Sequence, residues 1–136
     1  MEASVRLGIV GIGNMGSFHV GSAPLTRGCE LAAVCDLVPS KMDLAPEGVR
    51  RFTNSEEMIR SGEIDAILIA TPHYFHTTIG IDAFQNGLHV LTEKPISVHK
   101  ADCERLIAAH RESRKVFAAM FNQRTDPHYQ RVHKIV

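Results

Sequence analysis

The sequence predicts an α/β fold: a doubly wound parallel sheet in the strand order 3-2-1-4-5-6, built as a single domain. Three observations predict it. Apolar, β-type runs alternate with helical patterns along the chain. Residues 66–70, AILIA, form an unbroken apolar run, as a central strand buried on both faces requires. Residues 5–16, VRLGIVGIGNMG, set glycines at 11, 13 and 16 directly after the first apolar run. A strand that delivers such a turn, and a helix that leaves it, aim free N–H groups and the positive end of the helix dipole at a phosphate.

Each element follows in order. The first strand is expected over residues 5–10 and its helix from Asn14 to about Leu25. The second strand is expected over residues 31–35. Residues 39–45 can hold only a short helix, because Pro46 and Gly48 break the pattern. A brief third strand follows at residues 50–52. Asn54 then caps a helix whose third residue is Glu57, a capping-box arrangement. The fourth strand is the apolar run 66–70, and the helix after it spans about 75–85. Asn86-Gly87 supplies a left-handed stop. Residues 89–92 form the fifth strand, Ser97 caps a helix to about Ser113, and residues 116–121 form the sixth strand. Residues 126–136 read as a final helix. Right-handed crossovers give the stated strand order. Ligands then bind where the winding reverses, beyond strands one and four, where Gly11–Gly16 and Ala70-Thr71-Pro72 lie.

Bulk properties remove several function classes. A chain of 136 residues is one domain, able to bury about two-thirds of its unfolded surface. Fifteen basic and fifteen acidic residues cancel, so no global field calls for nucleic acid or an anionic membrane. No apolar run approaches the ~20 residues of a membrane span. The N-terminal MEASVRLGIVGIG has no basic leader and turns straight into a glycine loop, so a secretion signal is not expected. Cys29, Cys35 and Cys103 are odd in number and lack CxxC spacing, which points to reduced thiols in the cytoplasm. Among the histidines, His19, His89, His99, His110 and His133 are scattered and read as structural or surface residues.

The glycine turn carries the chemistry. Gly11 makes the tight turn, Gly13 admits a pyrophosphate to the backbone, and Gly16 lets the helix pack closely on the strand. Asn14 and Met15 complete the turn and count with it as cofactor-contacting positions. Asp36 ends the second apolar run 20 residues after Gly16, where a carboxylate accepts hydrogen bonds from an adenosine ribose. It would repel a 2′-phosphate, and Leu37 and Val38 supply no arginine, so NAD is expected over NADP. Lys41 softens that bias.

Three further landmarks complete a pattern: Ala70-Thr71-Pro72-x-x-x-His76, Gly87-x-His89-Val90-x-x-Glu93-Lys94-Pro95, and Arg124-x-x-Pro127. With the glycine turn they resemble the Gfo/Idh/MocA oxidoreductases, a family that includes glucose–fructose oxidoreductase and inositol dehydrogenases. The resemblance covers residues 5–136, but only the family's first half. It implies a Rossmann domain over residues 1–122, with 123–136 beginning the connection to a C-terminal substrate domain that is not in this sequence. That domain would carry an Asp-x-x-x-His acid/base pair.

The resemblance implies hydride transfer between NAD(P) and a secondary alcohol of a sugar, polyol or cyclitol, in a homo-oligomer when full length. Lys94 would be the catalytic residue, its ammonium steadying a developing alkoxide and, with its pKa lowered by burial, exchanging a proton. Glu93 would bond the nicotinamide ribose, and Pro95, often cis in such proteins, would fix the loop. Ala70, Thr71 and Pro72 would line the cofactor cleft, or form only a strand-to-helix turn. His76 fits the nicotinamide end or simple packing. Gln123 and Arg124 fit the nicotinamide, the domain junction or plain surface. His73 departs from the family pattern and takes no role. His73 and His76 lack a third ligand and hydride transfer needs no metal, so none is expected. Two alternatives share the scaffold: an NAD(P)-sensing regulatory protein and an NAD-retaining glycosidase.

Overall fold

Successive residues of a strand point to opposite faces, and this chain fills both faces with apolar side chains. The computed structural model describes residues 4–135. Its strands are β1 (Val5–Val10), β2 (Cys29–Cys35), β3 (Arg50–Phe52), β4 (Ala66–Ile69), β5 (His89–Thr92) and β6 (Phe117–Ala119). All pair in parallel in the order β3-β2-β1-β4-β5-β6, as the sequence predicts. The helices are α1 (Asn14–Ser22), α2 (Ser55–Arg60), α3 (His76–Gln85), α4 (Lys100–Ser113) and α5 (Pro127–Ile135).

Strand alternation sorts the core into two layers. Val10, Ile67 and Ile69 pack with Met58 of α2, Phe84 of α3 and Leu106 of α4. Their neighbours Ile9 and Leu68 pack on the other face with Val20 of α1 and Met42. Leu106 is fully buried, so its truncation to alanine falls in the costly class of about 2–5 kcal/mol. At Gly80 a Cβ would stand 2.7 Å from the Leu106 side chain, so glycine sets how closely α3 and α4 approach.

Several boundaries shift for local reasons. The first helix stops at Ser22 and tightens into a 3₁₀ turn at Ala23–Leu25, where Pro24 provides no N–H for the α ladder. Strand β2 begins at Cys29, two residues earlier than expected, because pairing with Val5 and Arg6 extends the ladder. Residues 39–44 are 3₁₀, and a further 3₁₀ turn at His73–Phe75 precedes α3. Ser97 does not cap the long helix: α4 starts at Lys100 with His99 at its N-cap, and the Ser97 hydroxyl accepts a 3.1 Å bond from Thr77. Asn54 does cap α2, its side chain accepting from the Glu56 N–H at 2.8 Å. The stop at Asn86-Gly87 is also present, with Gly87 at φ +78° and the Leu88 N–H returning to Ala83 O. Helix α5 ends at Ile135 and is exposed, and Val136 lies outside the described residues.

An ion pair closes the end of the sheet opposite the glycine turn. Arg6 donates to both oxygens of Asp65, at 3.0 and 2.6 Å, and the Arg6 backbone N–H donates to the same carboxylate. These bonds hold the Asp65 carboxyl down at about 2, below its ordinary 3.8. A carboxylate lowered in this way stabilises the fold above its unfolded value and loses that contribution as pH falls through its folded value. The melting-temperature gap between wild type and Asp65→Asn is therefore expected to be full at neutral pH and to close between pH 3.8 and about 2. Thermal scans across that range check it.

Candidate functional site

The strand ends at one edge of the sheet lie level, because backbone bonds continue the ladder one residue past each strand. Gly11 N–H donates to Cys35 O at 2.8 Å, Ala70 N–H to Val10 O at 2.8 Å, and Glu93 N–H to Ile69 O at 2.9 Å. This level edge carries most of the sequence-predicted residues. Gly11 sits at φ +87°, and a Cβ there would lie 2.7 Å from the Thr71 backbone nitrogen. A Cβ on Gly16 would fall on the Gly11 carbonyl oxygen. Both positions exclude any larger residue. Gly13 is different, since nothing lies within 4 Å of a Cβ built on it. It is the N-cap of α1 with no side-chain cap, so the first-turn N–H groups around Asn14, Met15 and Gly16 face an open space.

Asp36 is only 9 % exposed. Its carboxylate accepts from Ile12 N–H at 2.8 Å and from Val38 N–H at 2.9 Å, with Lys41 Nζ 3.7 Å away. A carboxylate offers about four lone-pair directions, so two further donors can be taken. Asp36, Gly11, Thr71 and Pro72 line one cleft of about 620 Å³. Thr53, Phe75 and Ile79 line it too, and sequence reasoning missed all three. Thr71 Oγ1 is buried there without a hydrogen-bond partner. Burial, with the charges of Asp36 and Glu57, pushes the Cys35 thiol up to about 12, so this cleft residue is no nucleophile.

Beyond β5 the chain turns through Glu93, Lys94 and Pro95, and the Lys94–Pro95 peptide is cis. The Glu93 carboxylate is buried, and His19 Nε2–H donates to its Oε1 at 2.7 Å. Lys94 N–H donates to Oε2 at 3.3 Å. The Lys94 side chain is exposed, so residues 4–135 do not supply the burial expected of it. His76 is fully buried between the two loops. Its Nδ1 lies 2.9 Å from Pro95 O and its Nε2 lies 2.9 Å from Thr71 O. The two readings of His76 thus merge, since it packs and also joins the loops that carry Thr71 and Lys94. Gln123 and Arg124 line a separate recess with Tyr129 and His133. Sequence reasoning also missed His19. Its signal was spacing: Gly16, His19 and Val20 fall at i, i+3 and i+4, the buried face of α1.

Residues 5–121 match the family model described as an oxidoreductase family, NAD-binding Rossmann fold. The chain belongs to the Gfo/Idh/MocA family. The rhizopine catabolism protein MocA of Rhizobium meliloti is 42% identical over 94 residues, 68% of this chain and 30% of that protein. Inositol 2-dehydrogenase of Corynebacterium glutamicum is 31% identical over 141 aligned positions, covering 100% of this chain and 42% of that protein. A glycosyl hydrolase family 109 protein of Phocaeicola vulgatus is 34% identical over 122 positions, covering 82% of this chain and 30% of its own length. Among solved structures, the scyllo-inositol dehydrogenase of Lactobacillus casei, with NAD(H) and scyllo-inositol bound, superposes with a TM-score of 0.91 at 28% identity. That match covers 97% of this chain and 40% of the other. The chain thus spans less than half the length of these relatives.

For an NAD-binding Rossmann domain the residues fit. The Gly13 space is open, the Thr71 hydroxyl lacks a partner, and Asp36 retains acceptor capacity. Gly13→Val is expected to fold with a melting temperature close to wild type, because its side chain meets open space. It should nevertheless lose measurable NADH binding in calorimetry, because that space is where the glycine spacing leads the pyrophosphate to be expected. Unchanged affinity would move the phosphate site elsewhere.

Proposed function

We propose that this chain is the cofactor-binding part of an NAD-dependent oxidoreductase acting on a secondary alcohol of a sugar, polyol or cyclitol. On this reading residues 1–122 are the Rossmann domain, and 123–136 begin the connection to a substrate domain. The protein works in the cytoplasm as a homo-oligomer. The observation that carries the reading is the pairing of a cleft fitted to a dinucleotide with an intact Glu93-Lys94-Pro95 turn at the same sheet edge. Similarity to inositol dehydrogenases supports the substrate class.

The residues divide the work. The turn from Gly11 to Gly16, with Asn14 and Met15, receives the pyrophosphate at the N-terminus of α1. Asp36 accepts the adenosine ribose hydroxyls, and Ala70, Thr71 and Pro72 border the cleft, with the unpartnered Thr71 Oγ1 free to bond the cofactor. Glu93 accepts from the nicotinamide ribose. NAD, when bound, takes or gives the hydride. Lys94 places a positive charge where an alkoxide develops, a form of stabilisation that strengthens once water is excluded. Its exposure in residues 4–135 fits a site closed by a second domain. Gln123 and Arg124 fall to the domain junction, and no metal takes part.

Two measurements test this. NADH is expected to bind about ten- to hundredfold tighter than NADPH. Hydrogen bonds to a charged acceptor are worth about 1.5–3 kcal/mol, and a 2′-phosphate at Asp36 forfeits them. Lys41 limits the preference. Equal affinities would overturn the role of Asp36. Second, the 136-residue chain is expected to bind NADH yet show no turnover at 340 nm on a panel of sugars and polyols. Loss of positioned acid/base groups alone costs about 10²–10⁴ in rate. Substantial turnover by this chain would place the whole chemistry within it. Similarity to a glycosyl hydrolase family 109 protein supports a second reading, NAD-retaining glycoside cleavage. Release of nitrophenol from aryl glycosides by a longer form, with no net NADH, would favour it.

A further inference from the structure

The last residue of strand β5 and the residue that follows it are both polar, and alternation sends their side chains to opposite faces of the sheet. Val90 belongs to the core layer of α2, α3 and α4, and Leu91 packs against the layer of α1. The same alternation sends Thr92 towards α3, where its hydroxyl lies 3.1 Å from His76 Nδ1. It sends Glu93 towards α1, where His19 stands. A buried carboxylate is costly unless bonded, and the partners of Glu93 among the described residues are the His19 ring and the Lys94 N–H. A carboxylate oxygen only accepts, so the His19 Nε2 must carry the hydrogen. The His19–Glu93 contact joins residues 74 apart in sequence. It ties the helix that leaves the glycine turn to the turn that carries Lys94.

We propose that His19 is a positioning residue: it holds the buried Glu93 carboxylate in the one orientation from which that group receives the nicotinamide ribose. The proposal rests on the reading of Glu93 given above. With Oε1 held by His19 and Oε2 by the Lys94 backbone, the carboxylate cannot swing, and each oxygen keeps a lone pair for an incoming hydroxyl. Without His19, the Glu93 carboxylate loses its closest donor and is free to turn towards solvent, which removes the acceptor. The effect is confined to the nicotinamide half of the cofactor, because among the described residues Asp36 is held by Ile12, Val38 and Lys41, and Glu93 by His19 and Lys94.

The test is a double-mutant cycle read by calorimetry with two ligands, NADH and ADP, the latter lacking the nicotinamide riboside. His19→Leu and Glu93→Gln are each expected to weaken NADH about tenfold, the scale of one charge-assisted hydrogen bond. The double variant should also lose about tenfold, not a hundredfold, because both changes remove the same unit. ADP affinity should stay within about twofold throughout, whereas disturbance of α1 would weaken both ligands. His19→Gln, which keeps a donor, should recover most of the NADH affinity. If His19→Leu does not fold, His19→Asn, whose amide is too short to reach Glu93, takes its place in the cycle. The proposal is overturned by unchanged NADH affinity in the His19 variant, by additive losses, or by equal losses for NADH and ADP. A wild-type chain that binds ADP but not NADH overturns the Glu93 reading itself, and the proposal falls with it. Failure to bind either ligand overturns the cofactor assignment.

Discussion

Everything at the candidate site depends on how closely two stretches of backbone approach at the centre of the sheet. Strands β1 and β4 are neighbours, and the chain leaves β1 towards α1 while it leaves β4 towards α3. Those helices lie on opposite faces, so a crevice opens between the departing chains. Its floor is the contact of Gly11 with Ala70 and Thr71, where a single Cβ would collide with backbone. That contact forces glycine at 11, and the positive φ of Gly11 directs its carbonyl so that α1 can start close only if residue 16 is glycine as well. Two of the turn's three glycines are thus fixed by protein packing, and of the three it is Gly13 that stands clear of protein atoms. The conventional ligand argument for all three glycines therefore holds in its plain form for the middle one only.

A second constraint acts at β5. Strand alternation gives Thr92 and Glu93 to different faces, and a buried histidine meets each: His76 from the start of α3 and His19 from α1. The turn that follows is gripped from both sides through Pro95 O and the Glu93 carboxylate. Lys94 lies between these grips and is claimed by neither face, which is why its side chain is exposed while Thr92 and Glu93 just before it are buried. A cation required to meet a substrate benefits from that arrangement. Its backbone is fixed and its ammonium remains available, so less ordering is left to be done when the reacting group arrives.

Much of this was legible in the sequence because it is written in short-range pattern. The unbroken AILIA run, the glycine spacing, Asp36 at a strand end, the Asn54 cap and the Asn86-Gly87 stop each need only a few consecutive residues, and each stands where expected. What was not legible depends on distant pairs. Ser97 has the right chemistry for a cap, yet Thr77, from α3, sits beside its hydroxyl, and α4 begins three residues later. His19 reads as one of several scattered histidines until the sheet brings it to Glu93. Thr53, Phe75 and Ile79 have no motif to mark them; they border the cleft only because β3 and α3 flank it. The exposure of Lys94 was likewise invisible, since a Glu-Lys-Pro string does not disclose what covers it.

Asp36 shows how such a site joins structure to selectivity. Its carboxylate bridges the Ile12 N–H of the glycine turn and the Val38 N–H of the loop after β2, so the residue expected to select the ribose also fastens the two loops that shape the adenosine end. An asparagine there would offer a single oxygen to two N–H donors, and its amide nitrogen would face one of them. Removing the charge to admit a phosphate would therefore also loosen the loop that must receive it. Selectivity is better altered beside Asp36, at exposed positions such as Leu37 or Lys41, where charge can change without removing a backbone acceptor. The same coupling explains why a carboxylate suits this position better than another acceptor. It alone has enough lone pairs to hold both loops and still greet a ligand.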